Sequence, residues 1–168
     1  MPAVLRRAFV GAALAWAVLL VAVPFLASRS HATSFGTAIV VAVYGIGSFV
    51  CHQLPERSWR LWTAQMPVCA RCTGIYFGAA IAAAIQVARG LQPSVNRGVA
   101  PRAPERLALC VATARVMLAF AALPSAATLV YEWTTGVMPW NALRFAAGIP
   151  LGVVVAWLVV SAAENQVN

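Results

Sequence analysis

The chain contains no lysine and no aspartate; its twelve cations are all arginine and its four anions all glutamate. Only 10% of the 168 residues are charged, against about a quarter in ordinary soluble domains, and 62% are apolar, with a mean hydropathy of +0.82. That is too little polar surface to coat a water-soluble globule. The apolar content also excludes a disordered chain, and four cysteines are too few for a disulfide-knit secreted scaffold. There is no internal repeat and no nucleotide-binding glycine loop. A net charge of +8 and a pI near 10.7 would suggest nucleic acid in a soluble protein. Here the arginines lie between long uncharged apolar runs rather than along one polar face, so nucleic acid is not the expected partner. Solvated loops beside an anionic lipid bilayer account for them better.

What is present is a series of apolar runs near the length that a hydrocarbon core demands, about 20 residues of helix. The first, Phe9 to Ala27, follows Arg6 and Arg7 and is longer than the core of a signal peptide, so it reads as a retained helix, kinked or ended by Pro24. The others are Ser34 to Val50, Thr73 to Ala88, Leu107 to Tyr131 and Ala142 to Ala163. Gly74 and Gly78 in the third, and Gly148 and Gly152 in the fifth, have the spacing that lets helix backbones approach closely. The runs are continuous rather than alternating, which excludes a membrane β-barrel. The expected fold is therefore all-α: an integral, multi-pass bundle of about five transmembrane helices in the cell membrane, forming one domain over residues 1–168. The stretch Arg89 to Arg106, with three prolines and two glycines, reads as a solvated loop. With five spans the arginines divide almost evenly between the two sides, so the positive-inside rule does not set the orientation.

Chemistry concentrates between the second and third runs. The segment reads Cys51-His52-Gln53-Leu54-Pro55-Glu56-Arg57-Ser58-Trp59, then Met66-Pro67-Val68-Cys69-Ala70-Arg71-Cys72-Thr73-Gly74-Ile75-Tyr76. Cys69 and Cys72 have the two-residue gap that lets two sulfurs face one metal or close one disulfide. A helical hairpin would bring Cys51 and His52 to the same end. Three thiolates and one imidazole from Cys51, His52, Cys69 and Cys72 suit tetrahedral zinc, with Arg57, Arg60 and Arg71 favouring the thiolate form. Four protein ligands leave no open position, which fits a structural metal. The alternative is a thiol–disulfide oxidoreductase coupled to quinone, with Cys51 as resolving partner or Cys51 and Cys110 supplying a second cysteine pair. A third reading has the arginines, beside Trp59 and Tyr76, holding a lipid phosphate or another anion. Buried cysteines that act only as small apolar side chains are the plain alternative to all three.

These motifs resemble the signature of an uncharacterised, domain-of-unknown-function family of small multi-pass membrane proteins of bacteria and archaea. The signature is Cys-His-Gln-x-Pro-x-Arg-Ser followed by Pro-x-Cys-x-Arg-Cys-x-Gly-x-Tyr. It is matched by Cys51, His52, Gln53, Pro55, Arg57 and Ser58, then by Pro67, Cys69, Arg71, Cys72, Gly74 and Tyr76. A tail of Asn141, Arg144, Gly148 and Gly152 is similar as well. The resemblance implies a membrane location and a cysteine–histidine loop, and supplies no activity. The family pattern has an acid after the proline of the fourth span, whereas Ser125 follows Pro124 here, leaving Glu132 as a substitute.

Three further readings concern isolated residues. Arg115, inside the fourth run, is close enough to its start for the side chain to snorkel outward. Trp59, Trp62, Trp133 and Trp140 fall at helix ends and read as interfacial anchors. His31 reads as solvated. The small size and the packing glycines also suit an accessory subunit that meets other membrane subunits.

Overall fold

The computed structural model describes residues 2–29, 33–90 and 103–165. Five helices account for nearly all of them: α1 (Pro2–Ala27), α2 (Ser34–Val50), α3 (Ala70–Gly90), α4 (Ala103–Thr135) and α5 (Asn141–Asn165). Four contain stretches long and apolar enough to cross a membrane, namely Val4–Ala27, Ala70–Ala88, Ala112–Thr135 and Asn141–Ser161. The remaining helix, α2, is apolar but has only 17 residues. His31, residues 91–102 and the Cys110 side chain lie outside the described residues.

The bundle is built around α3 and α5, which run parallel in close contact. A Cβ added to Gly148 would meet the backbone of Arg71 and Ile75. One added to Gly152 would meet the Ile75 carbonyl, with its carbon at 2.7 Å. From the other side, Gly74 lies on the carbonyl of Phe145, and Gly78 on that of Ile149. The two glycine pairs expected to mediate packing therefore pack on each other. In lipid no hydrophobic effect drives helices together, so this dispersion contact between bare backbones is what holds the pair.

Helix α1 lies antiparallel to α3. Val10 packs with Ala83 and Val160, Trp16 meets Tyr76 edge-on at 5.9 Å between centroids, and Phe25 meets Trp62 at 5.4 Å. Pro24 is accommodated inside α1, which runs on to Ala27. Helix α4 returns antiparallel to α5, with Ser125 bonded to the Ala147 carbonyl and Glu132 to Arg144. The last turns of α2 are tied to the end of the bundle where α3 begins, and of the five expected spans α2 is the one shorter than a span. Its Phe35, Val41 and Phe49 are exposed, as expected of a face turned to lipid rather than to the protein.

The connection from α2 to α3 forms a small rim. It holds one 3₁₀ turn at Pro55–Arg57 and a two-stranded antiparallel ribbon, β1 (Arg60–Leu61) with β2 (Ala64–Gln65). Trp62 and Thr63, both at positive φ, make the two-residue turn of this ribbon. Trp133 and Trp140 are exposed at helix ends as anchors should be, but Trp59 is partly buried and packs on Phe145 at 5.2 Å. Arg115 is exposed, three residues past the start of the apolar stretch of α4, where its side chain can reach polar surroundings.

If the α3–α5 contact is the organising one, Gly152→Leu should lower stability in mild detergent by about 1–3 kcal/mol through overpacking. Gly45→Ala, at a site with nothing within 4 Å, should leave the thermal midpoint unchanged or slightly raised. Equal midpoints for Gly152→Leu and the unmodified protein would contradict the role given to this contact.

Candidate metal centre

Each thiol is positioned by a different backbone device. Helix α2 ends at Val50, and Cys51 takes an extended conformation (φ −148°, ψ 138°), its N–H still bonded to the Gly47 carbonyl. Consecutive side chains of an extended chain point to opposite sides. Cys51 thus faces inward, packed against the buried Leu20, Met66 and Val68, while His52 is exposed. Gln53 then turns the chain with φ +49°. Its side-chain amide donates to the carbonyls of Tyr44 (2.9 Å) and Pro67 (2.7 Å), and the Gln65 amide donates to the Gln53 carbonyl at 2.6 Å. The Tyr44 hydroxyl closes the same network on the Gln65 carbonyl. This clamp pins the last turns of α2 to residues 65–67. Gly47 is the matching position, since any Cβ there would strike the Pro67 carbonyl and the Gln53 amide.

Cys69 and Cys72 come from the start of α3. The Cys69 carbonyl accepts both the N–H (2.9 Å) and the hydroxyl (3.0 Å) of Thr73, so Cys69 caps the helix and Cys72 follows one turn on. The Cys69 N–H donates to the Cys51 sulfur at 3.2 Å. As a result the three sulfurs, with Cys51 lying 18 and 21 residues before the other two, all lie within 4.8 Å of one another. Among the described residues this is the group of cysteine, histidine and acidic side chains able to share a metal ion, and all three cysteines are free thiols, half-buried. Zinc–sulfur bonds of about 2.3 Å put tetrahedral sulfurs about 3.8 Å apart, a separation this group can reach with small rotamer adjustments.

His52, expected as the fourth ligand, stands outside the group. The reason is its adjacency to Cys51: on extended backbone the two cannot both turn inward. The arginines expected to activate the thiols also point elsewhere. Arg71, although between the two cysteines, donates to the Thr128 hydroxyl of α4 at 3.0 Å. Arg57 pairs with Glu132, and Arg60 is exposed. Hydrogen bonds from the Cys69 and Cys72 thiols, rather than cationic side chains, hold the Cys51 thiol well below the ordinary thiol range, against the opposing effect of burial. Sequence reading missed Gln53 and Gly47, which position Cys51. The one signal available was the glutamine's place beside the cysteine–histidine pair.

A thiol with a lowered pKa is deprotonated at pH values where ordinary cysteines are not. In reduced, metal-free protein at about pH 6, iodoacetamide should therefore modify Cys51 first, as read by peptide mass mapping. Equal modification of Cys51 and Cys69 would contradict the hydrogen-bonded thiolate.

The family model described as "Predicted membrane protein (DUF2085)" matches residues 51–158, from the first rim cysteine almost to the end of α5. An uncharacterised protein of Methanocaldococcus jannaschii, MJ1492, is 40% identical over 55 residues, covering 33% of this chain and 35% of that protein. An uncharacterised protein of Methanothermobacter thermautotrophicus is 52% identical over 31 residues, covering 18% of this chain and 28% of that one. The matches thus span about a third of the length of these relatives or less. No solved structure matches the chain. The chain belongs to the DUF2085 family of predicted membrane proteins.

Proposed function

We propose that the protein is a membrane metal-binding protein whose rim holds zinc through the thiolates of Cys51, Cys69 and Cys72. The observation that carries this reading is the convergence of three sulfurs from two chain segments within 4.8 Å. Soft thiolate donors select zinc, copper(I) or iron–sulfur centres over hard cations. Zinc fits the mixed setting of apolar walls and one N–H···S bond, which together stabilise a thiolate-rich, redox-silent centre. With His52 turned outward, the fourth coordination position is left to a water or another incoming ligand. That favours a metal that receives or exchanges a ligand over a closed structural one.

The second reading is thiol–disulfide exchange with a quinone. It is favoured by the two-residue gap of Cys69 and Cys72 with Cys51 in reach as a third thiol. Metal analysis separates the two. Protein purified in mild detergent without chelator should carry about one equivalent of zinc. Serine at any one of the three cysteine positions should remove most of it, and His52→Ala should retain it. Less than about a tenth of an equivalent, with Cys69 and Cys72 disulfide-linked and dithiol-dependent quinone reduction lost in Cys72→Ser, would overturn the metal reading in favour of the redox one.

A further inference from the structure

Beside the thiols, and not using them, lies a second cluster with an unbalanced charge. Glu132 of α4 is buried at 6% exposure and is shared by two guanidinium groups. Arg144 Nη2 reaches Oε2 at 2.6 Å and Arg57 Nη2 reaches Oε1 at 2.5 Å. One turn earlier on the same face of α4, Thr128 accepts from Arg71 Nη2 at 3.0 Å. Three cations and one anion therefore meet over two turns of α4. The Arg144 side chain is only 3% exposed, and the Nε groups of Arg57, Arg71 and Arg144, together with Glu132 Oε1, are buried without a hydrogen-bond partner among the described residues, so the Arg57 contact to Oε1 is an ion pair alone.

An excess of two positive charges in such a place is costly unless it is paired, and three unsatisfied guanidinium N–H groups add to that cost. Among the described residues no hydrogen bond or ion pair joins the thiols to these arginines, whose contacts run to Glu132 and Thr128 instead. The N-termini of α3 and α5, which supply Arg71 and Arg144, add partial positive charge at the same end. The missing partner must be an anion with several acceptor oxygens, able to receive N–H groups from several directions. Arg57 is 32% exposed on its side of the cluster and provides the way in.

We propose that Arg57, Arg71 and Arg144, braced by Glu132, form a binding site for a phosphate group. Guanidinium groups match the oxygen spacing and charge of phosphate, and each of the three keeps donors beyond the one Nη2 contact it makes to Glu132 or Thr128. The phosphate can belong to an anionic lipid headgroup at the membrane surface or to a free phosphate in the adjoining solution.

The test is the thermal midpoint of the full chain in phosphatidylcholine nanodiscs, followed by tryptophan fluorescence. One arm adds inorganic phosphate at constant ionic strength, and the other replaces part of the lipid by phosphatidylglycerol. A saturable rise with phosphatidylglycerol alone assigns the site to a headgroup; a rise with inorganic phosphate assigns it to the free ion; either supports the site. Arg71→Gln, which leaves the Glu132 pairs in place, should weaken the response about tenfold in concentration. No rise in either arm, or an undiminished rise in Arg71→Gln, overturns the proposal.

Discussion

Two helix backbones in direct contact are the constraint on which the other features depend. Glycines at 74 and 78 of α3 and at 148 and 152 of α5 remove the side chains that would hold the helices apart. The register of these contacts, Gly74 on Phe145 and Gly78 on Ile149, sets the two helices parallel and beginning at about the same level. The first turns of α3 and α5 are therefore neighbours, and Cys69, Arg71, Cys72 and Arg144 come to one end of the bundle. Helix α1 packs against α3 from the other side, with Leu20 and Trp16 walling the thiols.

From this arrangement the first turn of α3 serves two opposite chemical demands. Cys69 and Cys72 face the rim and Cys51, forming a group of thiols close enough to share a metal ion. Arg71, between them in sequence, faces α4 and joins a set of guanidinium groups that attracts an anion. Keeping the two apart matters, because an arginine in contact with the thiolates would compete with a metal for them. The rim loop supplies the remaining member of each set, Cys51 on one side and Arg57 on the other. It is held by the Gln53 clamp and by the Gly47–Pro67 contact rather than by a core of its own.

Much of this organisation was legible in the sequence. Runs of apolar residues located all five helices, because continuous hydrophobicity in lipid leaves no other backbone solution. Helices α1 and α4 extend further than the runs Phe9–Ala27 and Leu107–Tyr131 expected from the sequence, since Arg6 and Arg7 in α1 and Glu132 and Thr135 in α4 are helical too. The glycine spacing announced close packing, and the choice of each pair for the other came only with the tertiary fold. The three cysteines were legible as a set from their spacing. His52 stands apart from the three thiols because extended backbone at Cys51 sends neighbouring side chains to opposite sides, which adjacency in sequence does not reveal. The arginine–glutamate set spans residues 57 to 144, and no local pattern could have joined them. Glu132, singled out in the sequence only as a substitute for an acid after Pro124, is buried between Arg57 and Arg144. The Trp62–Thr63 turn carries neither glycine nor asparagine, so its positive φ angles gave no sign in composition.

X-ray absorption at the zinc edge of the full chain, loaded with one equivalent in detergent, tests the three-thiolate centre most directly. A first shell of about three sulfurs at 2.3 Å with one lighter scatterer, unchanged in His52→Ala, is the expected result. A shell of two sulfurs or fewer, or imidazole scattering that disappears in His52→Ala, would contradict it.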